Sequence, residues 1–187
     1  MNEQQGRYVL RDMTADDLRL VLDWRNQERI RNAMYTDHVI SWDEHTQWFA
    51  RVSSDPSNRQ LVFEVDGRPV GAVSFTDIDM VNQRAHWGLY LGESDAAPST
   101  GSRMGYLALD FAFEDLDLHK LSCEVFSFNH KATRMYRQLG FTEEGHLREH
   151  NLKNGLYEDV VVLGILKAEW LSRRDKMHDI LFAAAGG

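Results

Sequence analysis

The stretch Asn129–Phe141 reads NHKATRMYRQLGF and decides the fold class. It follows directly on Lys120–Phe128, where apolar, β-compatible residues predict a strand. A helix is predicted to begin at or just after the first residue of the stretch and to end at Gly140, because glycine is common at helix C-termini. Ala132 and Tyr136 lie four apart, so they share one helical face. Together with the strand before it, the stretch therefore forms a strand–helix unit with the polar residue Asn129 at the junction.

Upstream, the sequence predicts a strand, three helices and an antiparallel meander. Asp66-Gly67 marks a tight hairpin turn, and Ser41 with Glu44 forms a capping box at a helix start. The predicted strands are Arg7–Met13, Arg59–Val65, Arg68–Ile78 and Asn82–Gly92, and the predicted helices are Thr14–Asn26, Glu28–Met34 and Ser41–Ser53.

Downstream, Asn154-Gly155 marks a second hairpin turn. The remaining predicted elements are the loop Ser94–Thr100, the helix Ser102–Leu116, the strands Phe141–Lys153 and Leu156–Leu166, and the helix Lys167–Phe182. This order predicts an α/β (α+β) fold, with a central mixed, mostly antiparallel sheet of about seven strands flanked by helices. We expect one domain over residues 1–187, with 183–187 as a frayed tail or cloning remnant.

Length and composition place the chain among globular proteins. Its 187 residues are 43% hydrophobic, and one domain per about 150 residues is usual. The formal net charge of −8 argues against nucleic acid or anionic lipid as a partner. No apolar run approaches the roughly 18 residues that span a bilayer. The one cysteine, Cys123, excludes a disulfide framework and a multi-cysteine zinc site, so we expect a cytoplasmic protein with no metal.

The junction from Leu89 to Gly105 carries the residues of an anion site. A predicted strand ends there, a loop of small residues follows, and a helix begins. Free backbone N–H groups at a helix N-terminus bind anions, and Arg103 adds a positive charge in the first turn. The residues fit either a pyrophosphate cradle or an ordinary loop.

The run Asn129-x-x-Ala132-x-x-x-Tyr136-x-x-x-Gly140-Phe141 resembles the cofactor-binding motif of the GNAT superfamily of acyl-CoA-dependent N-acetyltransferases. The order of predicted elements is similar to that family over essentially the whole chain. The resemblance implies the GNAT fold, acetyl-CoA as cosubstrate and direct transfer in a ternary complex. It also implies that Asn129 contacts the CoA arm and that the Tyr136 hydroxyl protonates the departing thiolate.

The phosphate loop departs from the usual family pattern Gln/Arg-x-x-Gly-x-Gly/Ala. Gly105 takes the last position, but Arg103 replaces the preceding glycine, so which amide meets which phosphate stays open. In this fold the strand around Leu89 to Leu91 splays to admit the pantetheine arm and supplies the oxyanion donor. The predicted cofactor residues are Leu89, Tyr90, Leu91, Gly101, Ser102, Arg103, Met104, Gly105, Asn129, Ala132 and Tyr136.

A base is needed because only a neutral amine attacks a thioester. Glu124 is the first candidate, acting through a water, since its parity opposite to Cys123 and Val125 points it toward the cleft. A surface glutamate facing solvent is the alternative. His86 on the neighbouring strand is the second candidate, although a lone strand histidine is more often structural. Cys123 is interpreted as a core residue because direct transfer needs no acyl-enzyme.

The N-terminal third suggests an acceptor. Trp24-Arg25-Asn26 followed by Glu44-His45-x-x-Trp48 looks like the corresponding segment of GNAT enzymes of the pseudaminic acid pathway. Those enzymes acetylate the 4-amino group of UDP-4-amino-4,6-dideoxy-N-acetyl-β-L-altrosamine, a precursor for flagellin glycosylation. The resemblance therefore implies a small nucleotide-sugar substrate.

Residue chemistry fits such a substrate. Arginines can neutralise a diphosphate, aromatic rings can stack on uracil, and hydroxyl and imidazole groups can bind sugar or ribose. The predicted substrate residues are Arg25, Arg31, His45, Trp48, Thr76, His86 and Tyr90, with Arg29 and Tyr35 as further candidates.

Two alternatives stay open. Ribosomal-protein N-terminal acetyltransferases and antibiotic acetyltransferases of the same superfamily share the late segment Gly145–Asp159, so that segment does not select a substrate. A non-catalytic acyl-CoA-binding module is the other, and the presence of Tyr136 argues against it. A homodimer is possible.

Overall fold

A computed structural model describes residues 7–182, so the predicted tail at 183–187 lies outside the described residues. The strands are β1 (Tyr8–Asp12), β2 (Arg59–Val65), β3 (Arg68–Asp79), β4 (Arg84–Leu91), β5 (Lys120–Phe126), β6 (Thr142–Lys153) and β7 (Leu156–Leu166). The helices are α1 (Leu18–Arg25), α2 (Glu28–Arg31), α3 (Trp42–Ser53), α4 (Thr100–Asp110), α5 (His130–Leu139) and α6 (Lys167–Phe182).

Within the described residues, seven strands form one sheet in the order β1-β2-β3-β4-β5-β7-β6. Only β4 and β5 pair in parallel, and the other neighbours are antiparallel. The prediction of a mixed, mostly antiparallel sheet is confirmed. β4 and β5 run parallel because the chain crosses from one to the other through α4.

The turn predictions are confirmed by the backbone. Asp66 and Gly67 have φ of 52° and 74°, and Asn154 and Gly155 have φ of 51° and 81°. Positive φ at both central residues is what a type I′ hairpin requires, and it matches the twist of the flanking strands. Gly140 ends α5 with φ of 110°, as the helix-stop prediction required.

Several predicted boundaries differ from the structure. The helix predicted over Glu28–Met34 ends at Arg31. β5 ends at Phe126 instead of Phe128: the amide of Ser127 still donates to Asp159 O on β7, but that of Asn129 donates to Phe126 O. This second bond closes a turn that leads the chain into α5. The predicted helix Ser102–Leu116 starts two residues earlier and ends in a wider π-helical turn, Phe111–Asp115.

The core lies on both faces of the sheet. One cluster packs α4, α5 and α6 against the strands, and a second packs α1 and Ile30 against Val62 and Ala72. Trp24 and Cys123 are core residues, as predicted, with 1% and 2% of their surface exposed. A Cβ at Gly92 would lie 2.0 Å from the Trp24 ring, so only glycine fits beside this indole.

Candidate active site

The sheet opens at its centre. β4 and β5 pair only at Arg84–Lys120, Ala85–Leu121 and His86–Ser122. Beyond these pairs each strand continues for several residues, but the two edges no longer meet. The gap is flanked by Trp87–Leu91 on one side and by Cys123–Phe126 on the other. The splayed strand that the sequence predicted is therefore present.

A cleft of about 1420 Å³ runs through this opening. Its walls come from α1, α2, α3, the middle of β3, the ends of β4 and β5, the N-terminal part of α4 and most of the length of α5. The lining includes most of the predicted site residues: Arg25, Arg29, His45, Trp48, Leu89, Tyr90, Leu91, Gly101, Ser102, Met104, Glu124, Asn129, Ala132 and Tyr136.

Tyr136 reaches the cleft from the buried face of α5. Its ring packs against Trp87 and Phe141, with centroids 5.7 and 5.4 Å away, and 5% of the residue is exposed. Burial raises its pKa well above 10, so the phenol stays protonated at neutral pH. Its hydroxyl makes no hydrogen bond to the described part of the chain. The group is a neutral proton donor facing the cleft.

Glu124 stands across the cleft on β5, exposed as the strand parity predicted. Its Oε2 accepts a hydrogen bond from the Tyr35 hydroxyl at 2.5 Å. Burial and this carboxylate raise the pKa of Tyr35, so the phenol remains the donor. Tyr35, proposed from sequence to stack on a base, is instead committed to Glu124.

The start of α4 presents free backbone amides. Ser99 adopts a left-handed conformation, with φ of 67°, before the helix. The amide of Thr100 donates to Ala97 O, while those of Gly101 and Ser102 have no acceptor within residues 7–182. Such amides at a helix N-terminus attract anions. Across the cleft, Asn129 caps α5 by accepting from the Ala132 amide at 3.2 Å.

Two predicted cradle residues do not face the cleft. Arg103 donates to Leu181 O at 2.8 Å and to Pro98 O at 3.2 Å, and it lies over the Tyr8 ring. The C-terminal carbonyls of a helix lack intrahelical partners, which explains why α6 attracts this guanidinium. Gly105 packs α4 against α5, because a Cβ there would lie 2.6 Å from Leu139 Cδ1.

Arg25 at the end of α1 and His45 on α3 line the cleft. Arg25 Nη1 and His45 Nε2 are buried without a hydrogen-bond partner in the described chain. His45 is 3% exposed and stacks on Trp48, with ring centroids 5.1 Å apart. Burial lowers the pKa of both groups. Arg25 also lies over the Tyr90 ring at 6.0 Å. Two unsatisfied buried groups in a cleft point to a polar ligand.

Arg31, Thr76 and His86 are corrections to the predicted substrate set, because none lines the cleft. Arg31 donates to Asn26 O and Asp37 O, since the irregular backbone on either side of α2 leaves carbonyls that need donors. Thr76 and His86 pair with each other across β3 and β4, at the end where β4 still pairs with β5. They lie on the closed side of the opening.

Arg29 lines the cleft but already holds the backbone. Its guanidinium donates to Leu91 O at 2.9 Å and to Gly92 O at 2.5 Å. These contacts fix the end of β4 beside the opening. Sequence reasoning placed this residue on a diphosphate and missed the carbonyls, which become visible only once α2 and β4 are brought together.

Sequence reasoning also missed Ser74 and Lys153. Ser74 lines the cleft two residues before Thr76, on the same face of β3. Lys153 is 3% exposed, and its Nζ donates to Arg31 O and Met34 O. The strand parity that identified Glu124 was able to indicate Ser74, whereas nothing in the hairpin sequence marks Lys153 as buried.

In residues 7–182, no helix is long and apolar enough to cross a membrane. That part of the chain also has no group of three His, Cys, Asp or Glu side chains arranged to hold a metal ion.

The family is decided by comparison with known proteins. Residues 7–142 match the acetyltransferase (GNAT) domain family. This chain belongs to the GNAT family. It is an acetyl-CoA-dependent N-acetyltransferase, and the fold and enzyme class expected from the sequence are confirmed.

Relatives of this GNAT enzyme include acetyltransferases of different names. Spermidine N(1)-acetyltransferase of Vibrio cholerae is 29% identical over 176 residues, which cover 94% of this chain and all of that protein. The acetyltransferase PseH of Campylobacter jejuni is 26% identical over 131 residues, covering 70% and 80%. A putative ribosomal N-acetyltransferase, YdaF of Bacillus subtilis, is 29% identical over 105 residues, covering 56% and 57%.

Solved structures agree with the fold. The Vibrio cholerae spermidine N-acetyltransferase in complex with CoA and spermine matches with a TM-score of 0.84 and 28% identity, covering 89% of this chain and 99% of that one. A dodecameric structure of the same enzyme matches with a TM-score of 0.77 and 27% identity, covering 90% and 98%. The comparison supports acetyl-CoA as the cosubstrate of this GNAT enzyme.

Proposed function

We propose that this GNAT enzyme acetylates the primary amine of a small acceptor that carries an anionic group, and that a UDP-linked 4-amino-4,6-dideoxy sugar is that acceptor. The observation that carries the proposal is Arg25, a half-buried residue whose buried Nη1 has no partner in the described chain. A phosphate or carboxylate oxygen is the partner that such a group lacks. The similarity to PseH supports the same class.

The proposed transfer uses two groups on opposite sides of the cleft. Glu124, through a water, accepts the proton that the amine loses as its nitrogen bonds to the acetyl carbon. Tyr136 gives its proton to the sulfur as the carbon–sulfur bond breaks, and its raised pKa keeps that proton available. The free amides of Gly101 and Ser102 suit the pyrophosphate, and the unpaired β4 edge from Leu89 to Leu91 suits the pantetheine arm.

A polyamine is the second candidate acceptor. It is supported by the similarity to spermidine N(1)-acetyltransferase, which covers more of the chain than the PseH match. Asp43, Glu44 and Glu124 line the cleft and suit a polycation. Against it stands Arg25, which a polycation would approach with like charge.

A thiol-release assay with acetyl-CoA separates the candidates. We expect release with the UDP-linked 4-amino sugar, and a product heavier by one acetyl group. Release only with spermidine, or only with ribosomal N-terminal peptides, would replace the nucleotide sugar by that acceptor. Silence with every amine despite acetyl-CoA binding would favour the binding module.

Arg25→Met tests the proposed contact between Arg25 and the anionic group of the acceptor. We expect KM for the UDP-sugar to rise about tenfold or more, because a charge-assisted contact is lost. Acetyl-CoA affinity is expected to stay unchanged. Arg19→Met on the exposed side of the same helix is the matched control, since Arg19 does not line the cleft and contacts Asp23, at 3.8 Å, and the face of Trp42. An unchanged KM in Arg25→Met would contradict the proposal.

We also propose that the chain works as a cytoplasmic oligomer. The dodecameric Vibrio cholerae structure supports assembly beyond the homodimer considered from sequence. The single cysteine suits a reducing compartment. Light scattering on the purified chain reports its mass directly.

A further inference from the structure

The segment between α1 and α3 is tied down at both ends. Asn26 Nδ2 donates to Ile40 O at 2.9 Å, and Asn26 Oδ1 accepts from the Ile40 amide at 2.8 Å. This pair closes residues 26–40 into one unit, called here the clamped segment. Inside it, Arg31 donates to Asn26 O and Asp37 O. A loop with this many backbone contacts holds its side chains in fixed places.

Lys153 secures the clamped segment from a distant part of the chain. It lies at the end of β6, and its Nζ donates to Met34 O at 2.8 Å and to Arg31 O at 3.2 Å. Only 3% of Lys153 is exposed, which is unusual for lysine. Asp37 is the nearest carboxylate, at 3.8 Å. Met34, which supplies one of these carbonyls, directly precedes Tyr35 in the chain.

Tyr35 carries this anchoring to the cleft. Its ring meets Phe126 edge-on, with centroids 5.3 Å apart, and Lys153 Nζ lies over the same Phe126 ring at 5.4 Å. His150 lies on another side of Tyr35, at 6.4 Å. The Tyr35 hydroxyl donates to Glu124 Oε2. The contacts run from hairpin to clamped segment to carboxylate without a gap.

Glu124 needs such a partner. An exposed glutamate samples several rotamers, and fixing one of them costs conformational entropy. The Tyr35 hydroxyl engages Oε2 and leaves Oε1 without a protein donor within residues 7–182. One oxygen is thus held while the other stays available to a water or amine.

We propose that Tyr35 is a positioning residue for Glu124, and that Lys153 holds Tyr35 in place from the β6–β7 hairpin. The inference rests on the proposed role of Glu124 as proton acceptor. Misplacing a reacting group by about 1 Å can cost up to 10²-fold in rate, so the effect of this contact falls on kcat.

A double-mutant cycle tests the first contact, with the UDP-linked 4-amino sugar as acceptor, or spermidine if only spermidine releases thiol. Tyr35→Phe keeps the ring contacts and removes only the hydroxyl. We expect kcat to fall about 10-fold or more, with KM for acetyl-CoA unchanged. In a Glu124→Gln background the same substitution is expected to have no further effect. Tyr157→Phe, at an exposed tyrosine of the β6–β7 hairpin, is the matched control.

The outcomes separate the two levels of the argument. If Glu124→Gln is slow but Tyr35→Phe is unchanged, or lowers kcat equally in both backgrounds, the positioning role is wrong and the role of Glu124 stands. If Glu124→Gln keeps the full rate, the proton-acceptor role fails and the positioning role fails with it.

Lys153→Met tests the anchor. It is expected to lower kcat in the native background and to have no further effect in Tyr35→Phe. An equal loss in both backgrounds would show that Lys153 does not act through Tyr35. If Lys153→Met fails to fold, Lys153→Gln, whose amide still donates to one carbonyl, is compared in the same two backgrounds and judged by the same criteria.

Discussion

The proposed protonation of the thiolate depends on the hydroxyl of Tyr136. Tyr136→Phe removes one oxygen and keeps the packing on Trp87 and Phe141. We expect kcat to fall about 10²-fold, the usual contribution of a positioned acid, while acetyl-CoA affinity measured by calorimetry stays the same. A loss of only a few-fold would assign the proton to another donor.

Gly92 is a position where an added side chain is expected to lower stability. Gly92→Ala would place a Cβ 2.0 Å from the rigid, buried Trp24 ring. We expect the free energy of unfolding to fall by about 1–3 kcal/mol, as overpacking usually causes, measured by urea denaturation. Gly145→Ala is the control, because its nearest contact there is Val162 at 3.8 Å. Equal stability of the two variants would show that Trp24 can move aside.

Single residues were predictable where backbone position fixes their direction. Glu124 followed from strand parity, and Tyr136 from its register in the motif that resembles the GNAT family. Arg31 and Arg103 were not, because a long arginine reaches either a ligand or a backbone carbonyl. Which it reaches depends on loops whose path the sequence does not specify. Lys153 was missed for the same reason.

At the scale of elements, a carboxylate–guanidinium pair joins β1 to the turn before α1. Arg11 Nη1 and Nη2 donate to the two oxygens of Asp17, both at 2.8 Å, and Arg11 Nε donates to Glu64. Asp17 also accepts from the Thr14 amide. Arg11 lowers the pKa of Asp17 below 3.8 although burial opposes it. The pair thus stabilises the fold above that pH.

Asp17→Asn is expected to lower the free energy of unfolding at pH 7 by about 1.5–3 kcal/mol, the range for hydrogen bonds to charged groups. A depressed native pKa contributes stability that is lost as pH falls through it. The difference between variant and native chain should therefore shrink below pH 3.8. Asp23→Asn, in an exposed pair, is the control. A difference that stays constant from pH 7 to pH 2 would contradict the charge-based origin.

Most elements were predictable because their ends carry strong local preferences. Asp66-Gly67, Asn154-Gly155 and Gly140 need positive φ, which few other residues adopt. The end of β5 was misplaced by two residues because the amide of Asn129 donates to Phe126 O, which closes a turn there. The apolar, β-compatible Phe128 continues the local strand pattern past that turn.

The whole molecule has one sheet with helices on both faces, so we expect it to unfold as one unit. Seven strands are linked edge to edge within the described residues, and one core cluster reaches from β2 to α6. Urea unfolding followed by tryptophan fluorescence and by circular dichroism should give coincident transitions. Separate midpoints would divide the chain at the β4–β5 boundary.

At that boundary the sheet is only partly closed. Only three residue pairs join β1–β4 to β5–β7 through the backbone, and past them two strand edges face each other across open space. A molecule that fills the gap touches both halves at once. Its binding energy is then also the energy that holds the halves together. If acetyl-CoA fills this gap, as proposed, amide hydrogen exchange along both edges is expected to slow together when it binds, and unchanged exchange would place the cosubstrate elsewhere.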